Sequence, residues 1–235
     1  MVSPYRWLAV DCSCDWSTKA SSIYDTAELS KKRMTIIKPP ACKGCGFHYN
    51  CLCAHVPTLN TSVRIDLLMH ETEVDKASNT GKLLRETFPH CHQHVWRRTE
   101  PPRDLLAVIA DPEIKSWLLF PDENATDVKC LPEGHNDDRK AHFIMIDATW
   151  QQAKKMVRKS PWLQSLGTAT FSSLPPSQYT LRRNQQPGNL CTCEAGIALL
   201  SAMGESENAE LLSQYFLQFM TTFDADRQHM SLPAT

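Results

Sequence analysis

The stretch "HFIMIDATWQQAKKM", residues 142–156, decides the fold. Phe143 to Ile146 are an unbroken apolar run. Such a run reads as a strand buried on both faces, and strands of that kind belong to parallel sheets. Asp147 follows at once, then a small residue, Thr149, Trp150 and a basic stretch with helical spacing. In open α/β sheets, ligands gather at the carboxyl ends of the strands. Asp147 stands at such an end. It is expected to act as a base or to contact substrate, the alternative being an N-cap for the helix behind it.

Outward from this point, strand and helix patterns alternate, which argues for βαβ units. Residues 63–69 read as a strand. Ala77, Gly81, Leu84 and Phe88 have helical spacing, with Asp75 or Ser78 as N-cap. Residues 93–98 read as a short strand and 101–110 as a helix entered through proline. Residues 116–120 form a strand closed by Pro121, and 122–140 are a polar loop. After the helix at 149–159 come a strand at 168–172 and a long connection, 173–189, with three prolines. A connection of that length points to function. Helices at 192–203 and 207–223 complete the pattern. The second carries a packing stripe of Leu211, Leu212, Tyr215, Phe216 and Phe219. The fold class is therefore α/β with a parallel sheet. A short helix is expected within residues 21–34, in an N-terminal extension, residues 1–38.

The chain has 235 residues, 42% of them hydrophobic and 22% charged, with a net charge of −1. That composition excludes a global basic field, so any nucleic-acid surface must be local. No run of about 18 apolar residues suggests a membrane span, and the first residues lack the form of a signal peptide. A cytosolic location is expected, with the ten cysteines as thiols or metal ligands.

"CKGCGFHYNCLC" sets Cys42, Cys45, Cys51 and Cys53 within twelve residues, in a segment bounded at 39–60. Cys-x-x-Cys turns two sulfurs toward one point, and two cysteines one residue apart share a face when extended. Four thiolates suit tetrahedral Zn²⁺ in a closed structural site, with His48 and His55 as substitutes should a cysteine not bind. The other six cysteines are expected to be ordinary thiols.

"HETEVDKASNTGKLL", "DATW", "SQYTLRR" and "CTCEAGIALL" occur in this order behind the cysteine cluster. Together they resemble the DTW-domain family, with the closest likeness to its bacterial variable-loop branch. The resemblance covers about residues 40–225. Ala148, between Asp147 and Thr149, departs from the usual pattern. The resemblance implies a SPOUT-like knotted domain over 61–235. It also implies a tRNA-uridine aminocarboxypropyltransferase, which moves the 3-amino-3-carboxypropyl group of S-adenosylmethionine to N3 of a tRNA uridine and releases methylthioadenosine. Two rivals stand beside it: an RNA methyltransferase of similar fold, and a non-catalytic zinc module that binds RNA. There is no GxGxxG, which disfavours a Rossmann methyltransferase.

On that reading, Asp147 would take the N3 proton. Trp150 would stack on the turned-out base or fill the core. Lys154, Lys155, Arg158 and Lys159 would meet tRNA phosphates, extended by Arg97, Arg98, Arg103 and Arg183. A solvated helix face is the plainer reading of those four. Arg182 would hold the donor carboxylate or an RNA phosphate, and Glu73 the donor amine. Ser177, Tyr179 and Thr192 match family motifs and are assigned to the donor pocket, with Phe120, Pro121 and Ser172 lining it. Asn79 and Thr80, with Gly81, would contact the donor or a phosphate at a helix start.

Overall fold

A computed structural model describes residues 38–131, 139–173, 176–179, 181 and 190–233. The N-terminal extension before Lys38, with its expected helix, lies outside the described residues. The chain divides after Lys38, and everything below concerns Pro39–Thr235.

Six parallel strands form one sheet: β1 (Arg64–Met69), β2 (Cys91–Val95), β3 (Ile114–Leu119), β4 (Thr126–Asp127), β5 (Lys140–Asp147) and β6 (Gly167–Thr170), in the order β2-β1-β5-β3-β6-β4. The helices are α1 (Gly81–Thr87), α2 (Arg103–Ala110), α3 (Trp150–Arg158), α4 (Pro161–Gln164), α5 (Thr192–Ala202) and α6 (Ser206–Arg227). β2 starts and stops earlier than the sequence suggests. Its last ladder bond runs from Trp96 N–H to the Met69 carbonyl, and Arg97 and Arg98 are already exposed. The polar loop at 122–140 hides β4 and a 3-10 turn at Val128–Cys130, whose Val128 is buried.

Period-two alternation sorts β5 onto two cores. Phe143 and Met145 join Ile65, Leu67 and Ala169 under α1, α5 and α6. Ile144 joins Leu68, Leu118, Leu105 of α2, Met156 of α3 and Leu163 of α4 on the other face. The α6 stripe forms as expected through Leu212, Tyr215, Phe216 and Phe219, but Leu211 turns outward at 38% exposure.

This order creates a switch point. From β1 the chain moves outward to β2; from β5 it moves the opposite way, past β3, to β6. Right-handed crossovers that run in opposite directions must use opposite faces, as α1 and α3–α4 do. Their divergence makes the carboxyl ends of β1 and β5, where Met69 pairs with Asp147, the switch point of the sheet.

The cysteine segment packs on this same core. Phe47, Leu52 and Leu59 are buried, and Phe47 lies 5.9 Å from Phe219, ring centre to ring centre. Asp226, near the end of α6, accepts the backbone N–H groups of His48, Tyr49 and Asn50 at 2.9, 2.6 and 3.2 Å. Desolvation raises the pKa of this carboxyl, but the three N–H groups outweigh it, and the folded value lies below the ordinary one. The stabilisation is therefore complete above the unfolded value and is lost as pH falls through the folded one. Asp226→Asn should remove this part of the acid dependence, read as a flatter acid limb in melting temperature against pH.

Candidate active site

Asp147 is 1% exposed. Its Oδ2 accepts from Asn79 Nδ2 at 2.7 Å, and its Oδ1 from the Thr192 hydroxyl at 2.8 Å. Gly81 passes so close that an added Cβ would collide with Oδ2. One carboxylate thus ties the end of β5 to the segment before α1 and to the first residue of α5. The side chain faces these two donors rather than open solvent. It is not the helix cap. Thr149 caps α3 in a capping box with Gln152, whose Oε1 accepts from both the backbone N–H and the hydroxyl of Thr149. The T-x-x-Q spacing carried that signal in the sequence.

Several residues expected at the donor bond to one another where these segments meet. Thr80 occupies the N-cap position of α1, in place of Asp75 or Ser78, and its hydroxyl oxygen accepts from Cys193 N–H at 3.3 Å. The Asn79 side chain accepts from Lys82 N–H at 3.2 Å. Tyr179 is buried, and its hydroxyl donates to the Ser78 carbonyl at 2.8 Å. The Ser177 hydroxyl meets Glu194, which also accepts from Gln178 and Cys191 N–H. Glu194 thus holds the "SQY" segment against the start of α5. It lay unassigned inside a quoted motif. Glu73, expected at the donor amine, is fully buried, with Lys76 Nζ 2.6 Å from its Oε1. Arg182 and Arg183 lie outside the described residues.

Next to this anchor is a cleft of about 250 Å³. Phe171, Leu190, Ile197 and Phe216 give it an apolar floor, with Ser172 and Glu194 on its polar wall. Ser172 was expected in such a pocket. Phe120 and Pro121 do not line this cleft. Pro121 is exposed, and Phe120 stacks on Trp150 with centroids 5.3 Å apart and planes within 16°. Trp150 is 42% exposed, so it is not a core aromatic. Lys154 Nζ lies 5.0 Å from its ring centre.

α3 lies across the strand ends. Trp150 meets Phe120, just beyond β3. Gln152 Nε2 donates to Thr72 Oγ1, just beyond β1, at 3.0 Å. Ser160 Oγ accepts from Trp96 Nε1, just beyond β2, at 2.9 Å. The nine residues of α3 rise about 13.5 Å, close to the roughly 14 Å of three strand spacings, and Ser160 lies just beyond its end. Lys154, Lys155, Arg158 and Lys159 are exposed on it, and Arg97, Arg98 and Arg103 are exposed nearby. Among the described residues none of these seven cations forms an ion pair.

His70 was also missed. It ends β1, and its backbone N–H donates to the Asp147 carbonyl at 3.0 Å. Its ring stacks on Trp96 at 6.0 Å, and Nδ1 lies 3.0 Å from Thr72 Oγ1 and 3.3 Å from Thr72 N.

The four sulfurs of Cys42, Cys45, Cys51 and Cys53 lie within 4.8 Å of one another, with Cys42 at 3.7 Å from both Cys51 and Cys53. A tetrahedron with metal–sulfur bonds of about 2.3 Å has edges of about 3.8 Å, so the set fits one metal ion. Gly44 leaves room for Cys53 Sγ, and Gly46 takes φ +80° to close the turn. His48 is no substitute ligand here, since its Nδ1 engages the Pro39 carbonyl at 2.6 Å. Cys91, Cys130, Cys191 and Cys193 are free thiols as expected, and burial pushes Cys91 and Cys191 up to about 12.

The DTW-domain family profile matches residues 39–224. The chain belongs to the DTW-domain family. Among its relatives, proteins named tRNA-uridine aminocarboxypropyltransferase 2 from Mus musculus and Macaca fascicularis are each 28% identical. The matches cover 65% and 70% of this chain and 52% and 56% of those proteins. One of the same name from Drosophila melanogaster is 24% identical over 65% of the chain and 62% of its own length. The chain thus spans little more than half the length of the first two. All three are animal proteins, so the likeness to a bacterial branch rests on the motifs alone. No solved structure matches. No helix among the described residues of this DTW domain is long and apolar enough to cross a membrane.

Proposed function

We propose that this DTW domain transfers the 3-amino-3-carboxypropyl group of S-adenosylmethionine to N3 of a uridine in tRNA. The observation that carries the reading is the convergence of three family motifs on Asp147 at the sheet's switch point. The relatives' names supply the chemistry. A sulfonium donor offers an electrophilic carbon and a leaving group that departs neutral. The cleft beside α5 suits an adenosine, with Phe171, Ile197 and Phe216 against the base and Ser172 and Glu194 near the ribose. Thr192 and Glu194 share the first turn of α5, so a donor seated against Glu194 lies close to the switch point at which Thr192 meets Asp147. Asp147 orders the segments around that point. The cations on α3 receive tRNA phosphates, and the exposed Trp150–Phe120 pair offers a stacking face. The four cysteines hold a structural zinc ion, for which all-thiolate tetrahedral ligation is usual. The family resemblance adds a SPOUT-like knot and a cytoplasmic setting.

The test is to incubate the protein with S-adenosylmethionine and tRNA and identify both products by mass spectrometry. Methylthioadenosine with an aminocarboxypropyl uridine is expected. S-adenosylhomocysteine would make it a methyltransferase. Absence of donor binding in a calorimeter would leave an RNA-binding module.

A further inference from the structure

Burial of Asp147 leaves open how the acceptor uridine is activated, because its N3–H is a weak acid. We infer that His70 supplies this activation by donating its Nε2–H to a carbonyl oxygen of the uridine. The inference rests on the transfer reading above and names a residue for its difficult step.

The geometry fixes the imidazole in one form. The backbone N–H of Thr72 can only donate, and it points at Nδ1. Nδ1 is therefore an acceptor, and in the neutral ring the proton sits on Nε2. The Thr72 hydroxyl is 3.0 Å from the same nitrogen. Gln152 donates to that hydroxyl oxygen, which leaves the hydroxyl proton for Nδ1. Gln152 is itself held by Thr149 at the start of α3. Trp96 backs the ring. No carboxylate lies within ion-pair distance of His70 among the described residues. Nothing described pairs with Nε2, and the residue is half-buried at the end of β1, beside the switch point. A neutral imidazole locked in this tautomer is an electrophile rather than a base.

The chemistry needs such a donor. When uridine loses its N3 proton to solvent, the negative charge spreads onto O2 and O4. A hydrogen bond from Nε2–H to either oxygen stabilises that anion. The N3 electron pair then forms the bond to the donor's side-chain carbon. The carbon–sulfur bond breaks, and its pair goes to sulfur as the neutral thioether leaves. Removing a preorganised donor of this kind costs roughly 10²–10³ in kcat.

The test compares wild type with His70→Ala, His70→Gln and Thr72→Val, using unmodified tRNA transcripts and S-adenosylmethionine. His70→Ala should lower kcat by about 10²–10³ while changing KM for tRNA little, and His70→Gln, which keeps an N–H at similar reach, should recover part of the loss. Thr72→Val keeps the imidazole and the backbone N–H at Nδ1 but removes the hydroxyl from it, and should fall between. The decisive readout is a transcript made with 5-fluorouridine, whose N3–H is more acidic. It should narrow the gap between wild type and His70→Ala, and a merely structural role would not do this. A gap that does not change with acceptor acidity, or a His70→Ala rate within a few-fold of wild type, overturns the inference. If His70→Ala does not fold, His70→Gln and Thr72→Val answer the same question. Failure of wild type itself to transfer the group overturns the transfer reading, whereas failure confined to the variant series overturns His70 alone.

Discussion

Stripping the metal from the cysteine cluster, by chelation or by Cys45→Ser, is expected to cause the largest loss of stability of any change considered. Structural zinc sites contribute apparent binding energies of about 10–16 kcal/mol, and the ion does the work that a larger core would otherwise do for a short segment. Here the consequence reaches past the segment. Phe47 and Leu52 are carried by the cysteine loop and are buried in the main core, and Phe47 also packs on Phe223. Lys82, in the first turn of α1, lies 5.3 Å from the Phe47 ring centre and 4.8 Å from that of Phe219. A loosened loop therefore disturbs α1, and with it Asn79 and Gly81 against Asp147. The check is metal content beside a thermal melt with and without chelator. One equivalent of metal and a melting temperature that falls by well over ten degrees on its removal are expected. A stoichiometric metal whose removal leaves the melt unchanged would show that the cluster is not structural.

The second large effect belongs to Asp147. Asp147→Ala leaves the buried Asn79 amide and the half-buried Thr192 hydroxyl without their acceptor. Each orphaned group costs roughly 1–3 kcal/mol, so a loss of about 2–6 kcal/mol is expected. Asp147→Asn keeps the shape but turns an N–H toward one of two donors, and should cost less. The informative measurement is donor affinity in Asp147→Asn by calorimetry. If Asp147 anchors the walls of the site, affinity for S-adenosylmethionine falls together with stability. If Asp147 is instead the base, the variant folds, binds donor as wild type does, and is inert. Transfer should be lost in both cases, so activity alone does not separate them.

Much of the fold was legible because its signals were local. The apolar run at 143–146 could only be a central strand, and β5 proved to lie inside the sheet. The Cys-x-x-Cys turn with its two glycines pointed to the sulfurs that meet. What escaped the sequence depends on long-range contact. No period reveals that Glu194 accepts from Ser177 and Gln178, or that Asn79 reaches Asp147 across 68 positions. Nor does anything local show that Glu73 is buried while its partner Lys76, three residues on, stays half exposed. β4 is two residues long and belongs to the sheet only because β6 is there to pair with it. His70 illustrates the same limit: its tautomer is set by Thr72, but its surroundings come from β2 and α3.

The clamp between the cysteine loop and Asp226 has a consequence for biosynthesis. The two partners are separated by 178 positions. A ribosome releases the four thiols long before it makes the helix end that seats them. Contacts of such separation close late, since the whole intervening chain must first be ordered. The nascent loop thus waits without its helical seat for most of translation. Early capture of the ion would fix the local turn, but only arrival of the final helix would turn that turn into part of a domain.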